Sequence, residues 1–299
     1  MSTVYYCDGA IALKTMGEEE CFGEPSDAVI IYRNDLKVLQ SVRQHPNIVR
    51  LHETTDEALI THTTTGAVEK VYNCQVLEAL HGGELFYHIV RHGPFSKETA
   101  RGFLLQMISG VACIHEAGYI HRDLKPWNII LSDDHSQVKI IDFGLATPLD
   151  KDLRHHPFNT FMSGTKQYMS PENIVRPQGE EVFDLNEADL SKVDTFALGV
   201  MLINMLTGSY LFESCLSEEY VKLTQDSNYM LEVLRNKINK SENRISESEL
   251  NDLVVLIQAM IHPDASFRLS IADLNDQSVD QTNWLKKSLY RINSETEIG

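Results

Sequence analysis

An aspartate, a lysine and an asparagine stand at short intervals in the segment YIHRDLKPWNIILSD: Asp123, Lys125 and Asn128. Phosphoryl transfer needs a carboxylate to orient an attacking hydroxyl, a cation to neutralise phosphate oxygens, and hard oxygen ligands for magnesium. A further oxygen ligand, Asp142, follows the apolar run VKII and precedes Phe143 and Gly144, so it stands at a strand end with a flexible residue behind it. Lys14 closes the run AIALK. On a strand Ala12 and Lys14 share a face, so the small residue leaves room for a flat ligand while the lysine reaches its phosphates. Trp127 is out of keeping with this set: it places a broad apolar ring where a small polar or acidic residue would be expected beside a charged substrate.

These residues need elements to hold them. The first ~80 residues contain the short β-type runs AIALK, NIVRL and NCQVLEAL, with a helical pattern in YRNDLKVLQSVR and a polar hairpin or loop in THTTTGAVEK. After HGGELF the pattern turns helical. In SKETARGFLLQMISGVACIHEAG the apolar positions Phe103, Leu104, Met107, Ile108, Val111 and Ile114 form one stripe, opened by Ser96 as N-cap and closed near Gly118. NIIL and VKIID read as two strands joined by a polar turn. VDTFALGVMLINMLTG, apolar on nearly every side, predicts a buried central helix ending at Gly208, and ELNDLVVLIQAMIHP an amphipathic one. The expected layout is a small β-rich part and a larger helical part, joined near Ala79 to Gly83, where a glycine pair could serve as a hinge.

Composition bounds the rest. The chain has 299 residues, 42% of them hydrophobic and 23% charged, enough for an ample core. A net charge of -17 argues against a general nucleic-acid binder. The five cysteines are dispersed without a CxxC pair, which reads as free thiols and no zinc site. The N-terminus lacks a signal pattern, and FALGVMLINML is about half of a bilayer span. A cytoplasmic, monomeric protein without membrane or nucleic-acid partners is the expectation.

HRDLKPWN (His121 to Asn128), DFG (Asp142 to Gly144), SPE (Ser170 to Glu172) and AIALK resemble, in order, the signature set of eukaryotic protein kinases. HPNIVRL, GGELF, VDTFALGV and Arg268 in HPDASFRLS extend the resemblance over roughly residues 10–285. The lysine of HRDLKPWN is similar to the serine/threonine type, and GGELF and FALGV look closest to calcium/calmodulin-dependent-kinase-like enzymes, ciliate ones included. The resemblance implies an α+β, two-lobed fold with a kinase domain over 1–285, divided at 79/80, and a tail over 286–299. It implies ATP and Mg2+, with Asp123 orienting the hydroxyl, Lys125 stabilising the transferred phosphate, Asn128 and Asp142 holding metal, and Lys14 holding nucleotide phosphates. Leu77 would stand beside the adenine, with hinge backbone groups from Glu78 and Leu80, Ala12 above the ring and Ile130 beneath it. Glu84 would approach the ribose, although its bland reading, a carboxylate at a helix N-terminus, stands beside that role. Glu172 would pair with Arg268, Asp194 would anchor the loop backbone, and Arg122 would meet a phosphate, with Thr160 as the residue an upstream kinase would modify.

Three features depart from the family. Two strands and a turn need about 20 residues before the lysine, but only 13 precede Lys14, with Gly9 their single glycine. The first strand and Gly-rich loop are therefore expected to be missing. The helix glutamate that would pair with the lysine is replaced by Asp35, one methylene shorter, which predicts a weakened pair unless the helix moves inward. Trp127 either stacks on an arginine of a peptide substrate or packs on the lobe surface. Protein serine/threonine phosphorylation is the leading reading. A pseudokinase scaffold, or a fragment, is its rival, and a small-molecule kinase is disfavoured by SGTKQYMSPE, which looks like a peptide-docking segment.

Overall fold

The computed structural model describes residues 3–7, 9, 11–16, 26–149, 166–174, 189–238, 245–276 and 283–286. Its N-terminal part is an antiparallel sheet of β1 (Thr3–Cys7), β2 (Ile11–Met16), β3 (Leu51–Thr61) and β4 (Val68–Glu78), ordered β1-β2-β4-β3. One strand therefore precedes the lysine strand among the described residues. Its sequence, TVYYC, is β-branched and aromatic, a strand signal the motif-led reading passed over. The β3–β4 connection is the expected hairpin, closed by a His62–Ala67 backbone bond of 2.8 Å.

Helix α1 (Asp27–Ser41) packs on one face of this sheet. Its buried residues Val29, Tyr32, Asp35, Val38 and Leu39 recur at three- and four-residue steps, the spacing of one helical stripe. NIVRL, expected as a strand, is instead a bridge between the two parts: Ile48 pairs singly with Ile140, and Val49 N donates to Ile140 O at 3.0 Å. Asn47 O and Val49 N bond to Ile140 of the far lobe, and only from Arg50, which bonds to Glu78 of β4, does the chain join the sheet, with the regular strand starting at Leu51.

The glycine pair at the join has two separate causes. A Cβ on Gly82 would lie 2.2 Å from the Ser132 carbonyl oxygen, so the chain passes too close to that turn for any side chain, while Gly83 sits at φ 82°.

The helical part opens with α2 (Leu85–His92) and α3 (Lys97–Glu116). Ser96 caps α3 by accepting from Thr99 N at 3.1 Å, and the helix gives way to Gly118 at φ 83°. The strand pairs β5 (Tyr119–Ile120) with β8 (Thr147–Pro148), and β6 (Ile129–Leu131) with β7 (Val138–Ile140), frame the loop that carries Asp123. Behind them α4 (Val193–Thr207) is buried on nearly every side and stops at Gly208, which adopts the left-handed conformation. With the short turn before it, Leu190–Thr207 is apolar and long enough by composition to cross a membrane, longer than FALGVMLINML suggested. Here 78% of it is buried as the core helix against which the others pack. α5 (Glu218–Gln225), α6 (Ser227–Ile238), α7 (Glu247–Met260), α8 (Ile271–Asn275) and α9 (Asn283–Lys286) complete the lobe. One hydrophobic cluster runs from Ala12 and Leu77 of the sheet through Phe103, Phe143 and Leu198 to Met260 and Trp284. The two-part α+β layout expected from the sequence is the one observed.

Candidate active site

The loop of residues 121–128 is hung from a single buried carboxylate. Asp194, in the first turn of α4, accepts from His121 N and Arg122 N at 2.9 Å each and contacts His115 Nε2 at 2.8 Å. Burial alone would raise the Asp194 pKa, but its hydrogen bonds and the imidazoles of His115 and His121 hold it below the usual carboxylate range. Two successive loop N–H groups are thereby fixed, and Arg122 takes the left-handed conformation at φ 66°.

That anchoring turns three side chains onto one another. Lys125 Nζ donates to Asp123 Oδ2 at 2.6 Å, and Asn128 Nδ2 donates to the same oxygen at 3.0 Å and to Asp123 O at 2.8 Å. The Asn128 amide nitrogen is thus committed to Asp123, and its oxygen is left as the acceptor for a cation. Burial pushes the Asp123 carboxyl above its ordinary pKa, against the opposing pull of Lys125. Ile141 N donates to Asn128 O at 3.0 Å, so the β6–β7 register brings Asn128 beside Asp142.

The second group of residues crosses between the lobes. Lys14 Nζ lies 2.7 Å from Asp35 Oδ2 and 3.5 Å from Asp142 Oδ1. Burial would lower the lysine pKa, but the two carboxylates outweigh it and raise the value. For Asp142, burial acts to raise the pKa, and Lys14 and His121 reverse it. The shorter carboxylate therefore does not cost the pair, contrary to the expected weakening. Asp35 also accepts from Phe143 N at 2.7 Å. Asn34, its neighbour, donates toward the carbonyls of Phe143, Gly144 and Ala146 at 3.2, 3.0 and 2.8 Å. Sequence reasoning missed Asn34, since nothing local marks a partner 109 to 112 residues away.

Lys14 and Asp142 open into a cleft of about 550 Å³, lined also by Ala12, Leu77, Glu78, Leu80, Glu84 and Ile130. Every nominated nucleotide residue borders it, and Val4 and Tyr6 of β1, which were not nominated, form its outer wall. The residues fit a nucleotide with magnesium. The cleft has an apolar end at Ala12, Leu77 and Ile130. It has a charged end at Lys14 and Asp142, and between them Glu84 holds a buried Oε2 without a hydrogen-bond partner. Burial raises the Glu84 pKa. The residue also sits at the N-cap of α2, the helix N-terminus position expected of it. The Glu78 side chain is turned away, to Lys139 Nζ and Arg50 N at 2.7 Å each. Its contribution to the cleft is then its backbone.

Glu172 and Arg268 form the expected buried pair: Arg268 donates from both terminal nitrogens to the two carboxylate oxygens, one bond at 3.0 Å. Cys74 is a core residue, as expected. Trp127 stacks on Phe86 with ring centroids 3.9 Å apart and meets Tyr168 edge-on. One of its faces is thus covered by the lobe's own side chains. Arg122 donates to Asn173 Oδ1 at 3.0 Å, while its other terminal nitrogen, Nη1, is buried without a partner. Thr160, Ser163, Thr165, His155 and His156 lie outside the described residues.

Residues 4–279 match the family described as the protein kinase domain. The chain is 29% identical to CBL-interacting serine/threonine-protein kinase 7 of Arabidopsis thaliana, over 94% of this chain and 55% of that protein. It is 30% identical to CBL-interacting protein kinase 26 of Oryza sativa subsp. japonica, over 97% of this chain and 50% of that protein. It thus spans about half the length of the curated relatives it matches.

Proposed function

Because the chain belongs to the protein kinase domain family, we propose that it transfers the terminal phosphoryl group of ATP to serine or threonine hydroxyls of protein substrates. The observation that carries this reading is the Asp123 constellation: a carboxylate gripped by Lys125 and Asn128 on a loop anchored to Asp194. A buried carboxyl with a raised pKa is a better proton acceptor than a solvated one. Asp123 orients the incoming hydroxyl and takes its proton, and Lys125 sets a positive charge beside the oxygens being transferred.

Lys14, held by Asp35, positions the nucleotide phosphates, and the Asn128 oxygen and Asp142 provide magnesium ligands. Magnesium, when bound there, neutralises charge on the phosphate oxygens. The adenine falls to the apolar end of the cleft, between Ala12 and Ile130, with hinge backbone from Glu78 and Leu80. We take residues 1–285 as the catalytic unit, divided near residue 79, supported by the core shared between its two parts. Transfer from radiolabelled ATP to a generic protein substrate tests the reading, with Asp123→Asn as control. Equal signal from both chains would overturn it, and nucleotide binding without any transfer would favour a scaffold.

An upstream kinase acting on Thr160 fits the buried, unpartnered Nη1 of Arg122, a nitrogen suited to a phosphate. Burial lowers the Arg122 pKa, with Asp194 opposing it, and a phosphate would add a compensating charge. Thr160→Ala with unchanged activity would sink this regulation while leaving the transfer reading intact.

A further inference from the structure

The pair between Lys14 and Asp35 poses a geometric problem that the surrounding residues solve. Aspartate is a methylene shorter than glutamate, yet its oxygen reaches Lys14 Nζ at 2.7 Å from a helix, not a flexible loop. α1 must therefore lie close over β2. One turn before Asp35, on the same buried stripe, stands Tyr32. Its hydroxyl donates to the carbonyl of Asn73, with the carbonyl of Lys14 as a second acceptor at 3.2 Å.

The acceptors arise from an irregularity in the sheet. Between the pairs Lys14↔Gln75 and Met16↔Tyr72 the register slips by one residue, and Asn73 takes φ 47°. A β-bulge of this kind leaves backbone groups out of the ladder and re-aims them. Here they meet a phenol coming down from α1. The bulge and the tyrosine together form a tether between sheet and helix, and one of its acceptors is the backbone of the lysine itself.

We propose that Tyr32 is the positioning residue that fits α1 to the short carboxylate: it sets the helix close enough for Asp35 to hold Lys14, and too close for a glutamate. Asp35 borders the cleft, but both of its oxygens are engaged, so a longer side chain would have to give up one of these bonds or push the helix back. Asp35 is 1% exposed, and its second oxygen is taken by Phe143 N at 2.7 Å. The neighbouring turn is equally tight, since a Cβ on Gly144 would come within 2.4 Å of Ile31 Cγ2. The inference rests on the nucleotide role assigned to Lys14, not on phosphoryl transfer.

The test uses the whole chain with Tyr32→Phe, Asp35→Glu and the double variant. Binding of a fluorescent ATP analogue with magnesium is measured beside transfer activity. Tyr32→Phe is expected to weaken binding about fivefold, the effect of one lost hydrogen bond. Asp35→Glu is expected to weaken it by at least as much, although glutamate has the longer reach. The double variant should bind more tightly than Asp35→Glu alone, because the released helix can move outward to accept the extra methylene. Equal or tighter binding by Asp35→Glu, or a double variant whose loss is the product of the single losses, would overturn the proposal. Should Tyr32→Phe not fold, Asp35→Glu alone decides it. An unaltered chain that does not bind the analogue also overturns it. A chain that binds with this pattern but transfers nothing leaves the tether standing and removes the transfer reading.

Discussion

The loop around Asp123 and the roof around Lys14 are built on opposite plans. The loop is held through its backbone by Asp194, a buried group on the central core helix. Its functional side chains lie within five residues of one another and bond mutually. The roof is held through side chains reaching across the molecule: Asp35 to Lys14, Asn34 to the carbonyls after Asp142, and Tyr32 to the bulge in β4. A site fastened by backbone to a packed lobe is fixed once the lobe folds. A site fastened by single side chains between lobes depends on each of them. The loop should thus tolerate changes in the sheet, and the roof should be the part that sets nucleotide affinity.

The largest expected effect would come from within the loop. Asp123→Asn should lower transfer by about 10²- to 10⁴-fold, with nucleotide binding and melting temperature nearly unchanged. A large loss of binding would break the separation of the two regions. Next, Arg268→Ala leaves Glu172 buried and unpaired and should destabilise the protein by about 3–5 kcal/mol. Denaturant unfolding would show it, and unchanged stability would mean that the helical lobe does not depend on this pair. Lys14→Met acts on the roof alone. Nucleotide binding should fall about tenfold or more, since a charge-assisted contact is worth roughly 1.5–3 kcal/mol, and the melting temperature should fall with it, because Asp35 is left buried without its cation.

The smallest effect concerns Lys97 of α3 and Glu249 of α7, whose side chains meet at 3.0 Å far from either region. Glu249 is held at about 2: burial acts to raise its pKa, but Ser246 and Lys97 outweigh it. A carboxylate whose folded pKa lies below its unfolded value of about 4.3 contributes stability above that pH. The contribution is lost as pH falls toward about 2. Glu249→Gln should flatten this acid limb by about 1 kcal/mol, seen in melts between pH 5 and about 2. A roof-like sensitivity of nucleotide binding to this variant would contradict the local reading.

Much of the loop side was legible in the chain. HRDLKPWN, DFG and SPE carry their own chemistry, and the long helices followed from apolar stripes, caps and closing glycines. The roof side was legible in its motif, AIALK, but not in its support. β1 went unnoticed for want of a motif, although its residue types favour a strand. NIVRL has the composition of a strand, yet Asn47 O and Val49 N in it are claimed by Ile140. Asp35 looks like a weakened partner in the sequence because residue length can be counted there and helix position cannot. That Phe86 covers one face of Trp127 is likewise a tertiary contact that no local pattern marks.

By itself, then, the sequence determined which chemistry is available and where the long helices lie, since catalytic motifs, caps and apolar periodicity are local patterns. Only the tertiary structure decided the distances between them. Whether a short carboxylate reaches its lysine, which carbonyls a tyrosine meets and which nitrogen of Arg122 goes unpaired depend on how helix and sheet pack. Packing is settled by contacts between residues tens to more than a hundred positions apart.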